Sequence, residues 1–360
     1  MIELGEIAIK KALEIGADEA EAYLIRGREF NISLESNDIK LAKSQTRDGI
    51  GIRVFKNRSL GFASVNVLSE AKIIEAVSNA VHLARLTPAD KYNCLPMPTP
   101  LAKVEDIYDP QAEKLVMDFA LDNATKMLKT VQNFDKRASV DSGSFDASVY
   151  ESAIVNSNGI KTSEKQSSFS YIIFGMATDK EEVSCFQYEF DATHQVREVN
   201  VEKVALDFAQ KAINSLGAKK WESFKGTVIL DPEVITELLS VIIAWVNANN
   251  VQKGSSKFSH SLNKKVTISD LSIEDNGLLK GGNASSSFDR EGVARKPIKL
   301  VDKGILNTFL YNSYTANKDN RTSTGHAAGD TRGVPTIGPT NLTISPGSKS
   351  KEELIKDVKK

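Results

Sequence analysis

Four histidines carry most of the chemistry that a sequence of 360 residues could offer here: His82, His194, His260 and His326. No two of them stand one helical turn apart, so the pair with which a helix grips a metal ion is missing. His82 falls in a helical pattern, and His194 and His260 fall in polar stretches where they read as solvated side chains. His326, in STGHAAGD, is the one histidine in a glycine-rich loop beside an acid, Asp330, and is the best histidine candidate for a site. Asp289 and Glu291 of FDREGV could act as general acid or base, although neighbouring loop carboxylates more often cap turns. No GxSxG, GxxxxGK[ST] or strand-led GxGxxG is present. A nucleophile elbow and a phosphate cradle are therefore unsupported. The residues alone show no catalytic constellation and no metal site.

The elements that would position these residues follow from periodicity. Leu4, Ile7, Ala8, Ala12 and Ile15 share one helical face, with Gly16 as a stop. Alternation then sets in at Ala20, Ala22 and Leu24 and, after an expected turn, at Phe30, Ile32 and Leu34. It returns at Ile50, Ile52 and Val54 and at Leu60 and Phe62, with Lys56-Asn57-Arg58 as a hairpin turn between them. Ser69 to Leu86 reads as a helix with Ser69 as N-cap and Pro88 just past its end. The proline-rich stretch that follows is a linker. Asp109-Pro110 opens an expected helix to about Lys129. Strand-like runs follow at 138–140, 148–155 and 168–178, with Asn158-Gly159 as a tight turn, and then a helix over 201–216.

Gly226 begins a third segment. TVILDP reads as an apolar strand, and VITELLSVIIAWVNANNVQKGSS (234–256) begins as a buried apolar helix that holds Glu237, Ser240 and Trp245 but no histidine. Short strands between glycine-, serine- and asparagine-rich loops come next, and such loops are where sites tend to sit. The pattern is α+β: antiparallel sheets with flanking helices in two N-terminal units, 1–95 and 105–218, then a β-rich domain over 225–360. KEELIKDVKK starts a helix with nothing to close it, so the last domain reads as incomplete.

Bulk properties narrow the classes. Hydrophobic content of 41%, charged content of 26% and a net charge of −1 suit a globular protein without a basic face, which argues against direct nucleic-acid contact. Cys94 and Cys185 read as reduced thiols. The acidic N-terminus is unlike a signal peptide, and the longest apolar run is too short to span a bilayer. The expectation is a cytoplasmic protein with no membrane partner.

Three stretches carry a resemblance: TRDGIGIRVFKNRSLGFASVN (46–66), FDREGVARKPIKLVDKGILNTFLYNSYTANK (288–318) and STGHA (323–327), with TNLTISPG (340–347) continuing the pattern. Together, in order and over essentially the whole chain, they resemble the TldD/PmbA family, once called modulators of DNA gyrase. The family's TldD branch carries an HExxxH helix after a short apolar strand, and that helix binds a peptidase metal. At the corresponding place this chain has DPEVITELLSVIIAWVN, with Ser, Ile, Ala and Trp where histidines would stand. The resemblance therefore implies the PmbA/TldE branch, truncated at its C-terminus, with no catalytic or metal-binding residue on this chain.

What the branch implies is a non-catalytic subunit of a metallopeptidase complex that processes unfolded peptides. Its partner would be a TldD-type subunit carrying a divalent metal, zinc, in a heterodimer, or a second copy in a homodimer. Substrate or partner contacts are expected from Asp289, Glu291, Tyr314, Ser323, Thr324, Gly325, His326 and Asp330. Two alternatives stand beside it: a self-sufficient hydrolase using His326 and Asp330 with Asp289 or Glu291, and a non-proteolytic regulatory binding protein.

Overall fold

The computed structural model describes residues 1–358. In chain order the elements begin with α1 (Ile2–Glu14), β1 (Glu19–Glu35), β2 (Asp38–Lys56), β3 (Ser59–Val65), α2 (Glu70–Leu86) and α3 (Met117–Phe134). Then come β4 (Ala138–Asn156), β5 (Lys161–Asp179), β6 (Glu182–Val183), β7 (Gln187–Thr193) and α4 (Val201–Asn214). The C-terminal part holds α5 (Pro232–Val246), α6 (Ala248–Gln252), β8 (Ile273–Asn276), β9 (Pro297–Asp302), β10 (Ile305–Leu306) and α7 (Ser313–Lys318). It closes with β11 (Ala327–Ala328), β12 (Thr336–Ile337), β13 (Leu342–Ile344) and α8 (Lys351–Asp357).

A single antiparallel sheet of seven strands, in the order β3-β2-β1-β4-β5-β6 with β7 also on β5, joins the two N-terminal units. Its seam is the pairing of β1 with β4, in register from Glu21↔Asn156 to Glu35↔Ser142. The turn expected between Leu24 and Phe30 is absent, and β1 runs through. Arg26 and Arg28 interrupt the apolar alternation without breaking the strand, because β2 and β4 flank it on both sides and pair its backbone throughout. Side chains two apart share a face of a strand. Ala20, Ala22 and Leu24 therefore pack under α1 and α2, while Phe30, Ile32 and Leu34 of the same face pack under α3 and α4. Half of the buried positions of α2 are alanine (Ala76, Ala80 and Ala84), which lets helix and sheet approach closely. A Cβ on Gly61 would lie 1.9 Å from the Ala80 carbonyl oxygen.

The other face of β1 and β2 meets the C-terminal part, whose short strands form a four-stranded sheet, β10-β9-β8-β13, and a two-stranded one, β11-β12. Its core centres on Val246, Ile273, Leu300, Leu306, Leu310 and Tyr311.

Several local expectations need correction. The helix expected from Asp109 is a short 3-10 turn at Pro110–Lys114, capped by Asp109, before α3 begins at Met117. The three expected strand runs after it are two long strands, with Gly159 at φ +102° in the turn between them. Thr227–Leu230 forms no strand and is exposed. Helix α5 exists, but it is not a buried helix. Leu239, Ile242 and Val246 face the C-terminal core, whereas Val234, Leu238 and Val241 are 47, 52 and 45% exposed. Apolar residues all round a helix predict burial on all sides, and here only one side has a neighbour.

Candidate functional site

Where the C-terminal part meets the sheet, four charged side chains lie buried together. Glu21 projects from β1 and Arg53 from β2, both away from the helices, and Arg290 and Glu291 come from the loop between β8 and β9. Arg53 donates from Nη2 to Glu21 at 2.5 Å and from Nη1 to Glu291 at 2.8 Å, while Arg290 Nη1 donates to the other Glu21 oxygen at 3.0 Å. Glu291 also accepts from the backbone N–H of Ser313 at 2.7 Å. Two cations and two anions balance. Burial alone would lower the Arg53 pKa, but the charges of Glu21 and Glu291 outweigh it and raise it. The guanidinium of Arg290 lies 4.0 Å from the centre of the Tyr23 ring, a cation–π contact.

Asp289 is next to this cluster and has a different task. Its carboxyl accepts from the N–H groups of Glu291, Val293 and Ala327 at 2.9 to 3.0 Å, so it shapes its own loop and ties that loop to β11. Burial, followed by the charge of Glu291, pushes its pKa up to about 7.

The glycine-rich loop packs directly behind. Ser323 and Thr324 bond the Tyr311 carbonyl, and Gly325, at φ +75°, accepts from Arg295 at 3.2 Å. His326 is buried, with Nδ1 2.9 Å from the Thr324 carbonyl and Nε2 3.6 Å from Asp275, too long for a hydrogen bond. Asp330 does not join it: its partner is Arg332 at 2.6 Å. Tyr314 lies apart as well, donating to Asp90 at 2.8 Å. The fold thus gathers Asp289, Glu291, Thr324, Gly325 and His326, and leaves Asp330 and Tyr314 outside. His194, expected in solvent, is buried, bridging the carbonyls of Ser167 and Gly282.

The residues that sequence reasoning missed are Glu21, Arg53, Arg290 and Asp275. For Arg53 the signal was a charge inside the apolar strand segment GIGIRVF, since a buried strand tolerates a charge only where a partner waits. Arg53 also lines a cleft of about 470 Å³ between β2, β3, the linker and the C-terminal part.

The chain is similar to known proteins. Residues 20–84 match the model for PmbA/TldA metallopeptidase domain 1, and residues 223–360 match that for the PmbA/TldA metallopeptidase C-terminal domain. The chain belongs to the PmbA/TldD family. An uncharacterised protein of Methanocaldococcus jannaschii is 28% identical over 96% of this chain and 80% of its own length. The metalloprotease PmbA of Escherichia coli O157:H7 is 27% identical over 90% of this chain and 73% of its own. The crystal structure of TldE from Thermococcus kodakarensis superposes with a TM-score of 0.87 at 22% identity, covering 99% of this chain and 80% of that one, a likeness of fold.

Relatives named metalloproteases imply a metal, and the donors present here do not fit one. Among the described residues no group of three or more His, Cys, Asp or Glu side chains is placed to hold an ion, and α5 carries no histidine. The buried carboxylates of Glu21, Glu291 and Asp289 are each occupied by a guanidinium or by backbone amides. Among the described residues no helix is long and apolar enough to cross a membrane.

Proposed function

We propose that this chain is a non-catalytic, PmbA/TldE-type subunit of a cytoplasmic metallopeptidase complex that processes unfolded peptides. A TldD-type partner carries the divalent metal, zinc, and the two form a dimer. The observation that carries this reading is α5: a helix with no histidine and an apolar outer face, where the resemblance implies a metal-binding helix in the other branch. The charged seam supports it. Each of its carboxylates already serves a buried partner, which leaves none free to act as a base. A self-sufficient hydrolase built on His326 and Asp330 has no geometric support, since the two side chains take different partners.

In this account the chain contributes walls and peptide contacts while the partner supplies the chemistry. The test is co-purification. A tagged copy of this chain expressed in its own cells is expected to bring down an HExxxH-bearing chain at equal stoichiometry. Recovery of a tagged chain that retains zinc by itself and pairs with no such chain would overturn the reading.

A further inference from the structure

The cleft beside Arg53 adjoins the seam, and two of the polar side chains that line it hold groups without partners among the described residues. Arg53 is 5% exposed, and its Nε–H, unlike its two terminal nitrogens, has no acceptor among the described residues. A buried donor without an acceptor costs on the order of 1–3 kcal/mol, so a site that keeps one is a site that awaits an acceptor. Among the described residues the carboxamide of Asn249, on the cleft's wall, makes no hydrogen bond, whereas those of Asn247 and Asn312 are engaged as helix caps. Around these groups stand Phe55, Leu60, Pro88, Val334, Pro335 and Ile337, an apolar wall.

Charge decides what can enter. The guanidinium of Arg53 is already matched by Glu21 and Glu291, so the floor has no net positive charge to offer an anion. An anionic group would also face Asp90, whose side chain pairs with no lysine or arginine among the described residues, and a charge of either sign would lose its water against the apolar wall. What fits is a neutral carbonyl for Arg53 Nε, an amide for Asn249, which both donates and accepts, and an uncharged side chain for the apolar wall. Those three features are contiguous in one residue of a peptide. The volume is within the range of sites that hold small ligands.

We infer that this cleft is a peptide subsite that takes an uncharged apolar residue, its carbonyl turned to Arg53 Nε and its side chain against Leu60, Val334 and Ile337. The inference rests on the reading that the complex handles polypeptide, but it concerns binding by this chain alone and needs no hydrolysis.

Cys94 supplies the readout. It lines the cleft and is half-buried, and burial pushes its thiol pKa up, while Cys185 is exposed elsewhere and serves as an internal reference. The probes are Ac-Ala-Leu-Ala-NH2, Ac-Ala-Glu-Ala-NH2 and Ac-Ala-Lys-Ala-NH2, with affinities measured by calorimetry and alkylation followed by mass spectrometry. With the leucine peptide at ten times its Kd, Cys94 alkylation is expected to slow about ten-fold while Cys185 is unchanged. The glutamate and lysine peptides are expected to give no protection. Val334→Trp, which fills the mouth from an exposed position, is expected to abolish the calorimetric signal of the leucine peptide. Equal protection by all three peptides, no protection by the leucine peptide, or its undiminished binding to Val334→Trp would overturn the assignment. Co-purification of a metal-bearing partner is a separate result, so loss of the subsite and loss of the subunit reading are distinguishable.

Discussion

Glu291 holds the interface between sheet and C-terminal part at a single residue. One carboxylate oxygen neutralises Arg53 and the other accepts the Ser313 N–H, so its removal leaves a buried guanidinium half-paired and a buried amide unpaired. Breaking a buried pair from one side costs about 3–5 kcal/mol, far more than the net worth of the intact pair. Glu291→Ala is therefore expected to lower unfolding free energy by that amount in urea titration, with Glu291→Gln intermediate. A Glu291→Ala variant as stable as the parent would mean that the seam is open to water. At this scale the sequence was partly legible. FDREGV stood out as a cluster of acids and STGHA as a glycine-rich loop, and the two do meet. Their partners did not stand out, because Glu21 and Arg53 are more than 200 positions away from Glu291 and nothing local says which residue a buried charge will meet.

At the scale of elements, legibility followed how local the determinants are. Helices α1, α2 and α4 and the hairpin turns at Asn57-Arg58 and Asn158-Gly159 depend on caps, spacing and left-handed residues within a few positions, and all were readable. The continuity of β1 was not, since what carries it past Arg26 and Arg28 is pairing with β2 and with the distant β4. The segment around α5 misled in the opposite sense: its composition predicts burial, but burial needs a neighbour. This difference is measurable. Leu238→Lys, on the exposed face of α5, is expected to change the stability of this chain by less than about 0.5 kcal/mol, whereas Leu24→Ala, fully buried under α1 and α2, is expected to cost about 2–5 kcal/mol. Both follow from chemical denaturation of the chain alone. A large loss in Leu238→Lys would show that the outer face of α5 is covered in solution.

Across the whole molecule, the sheet is the frame. One face carries two cores under two pairs of helices, and the opposite face near β1 and β2 receives the C-terminal part, so the seam and the cleft lie between sheet and C-terminal loops. The α+β class was readable from the change of periodicity. That the first two units share one sheet was not, because strand order is set by pairings across the linker. The lack of histidines on α5 takes on meaning only through the resemblance, which implies a second branch with metal ligands on this helix. The central claim is that this chain does not cut peptides itself. Its most direct test is hydrolysis of an unfolded polypeptide by this chain alone, by a TldD-type chain alone, and by the two together. The account predicts no cleavage by this chain alone at any zinc concentration, and chelator-sensitive cleavage once the partner is present. Chelator-sensitive cleavage by this chain alone would contradict it.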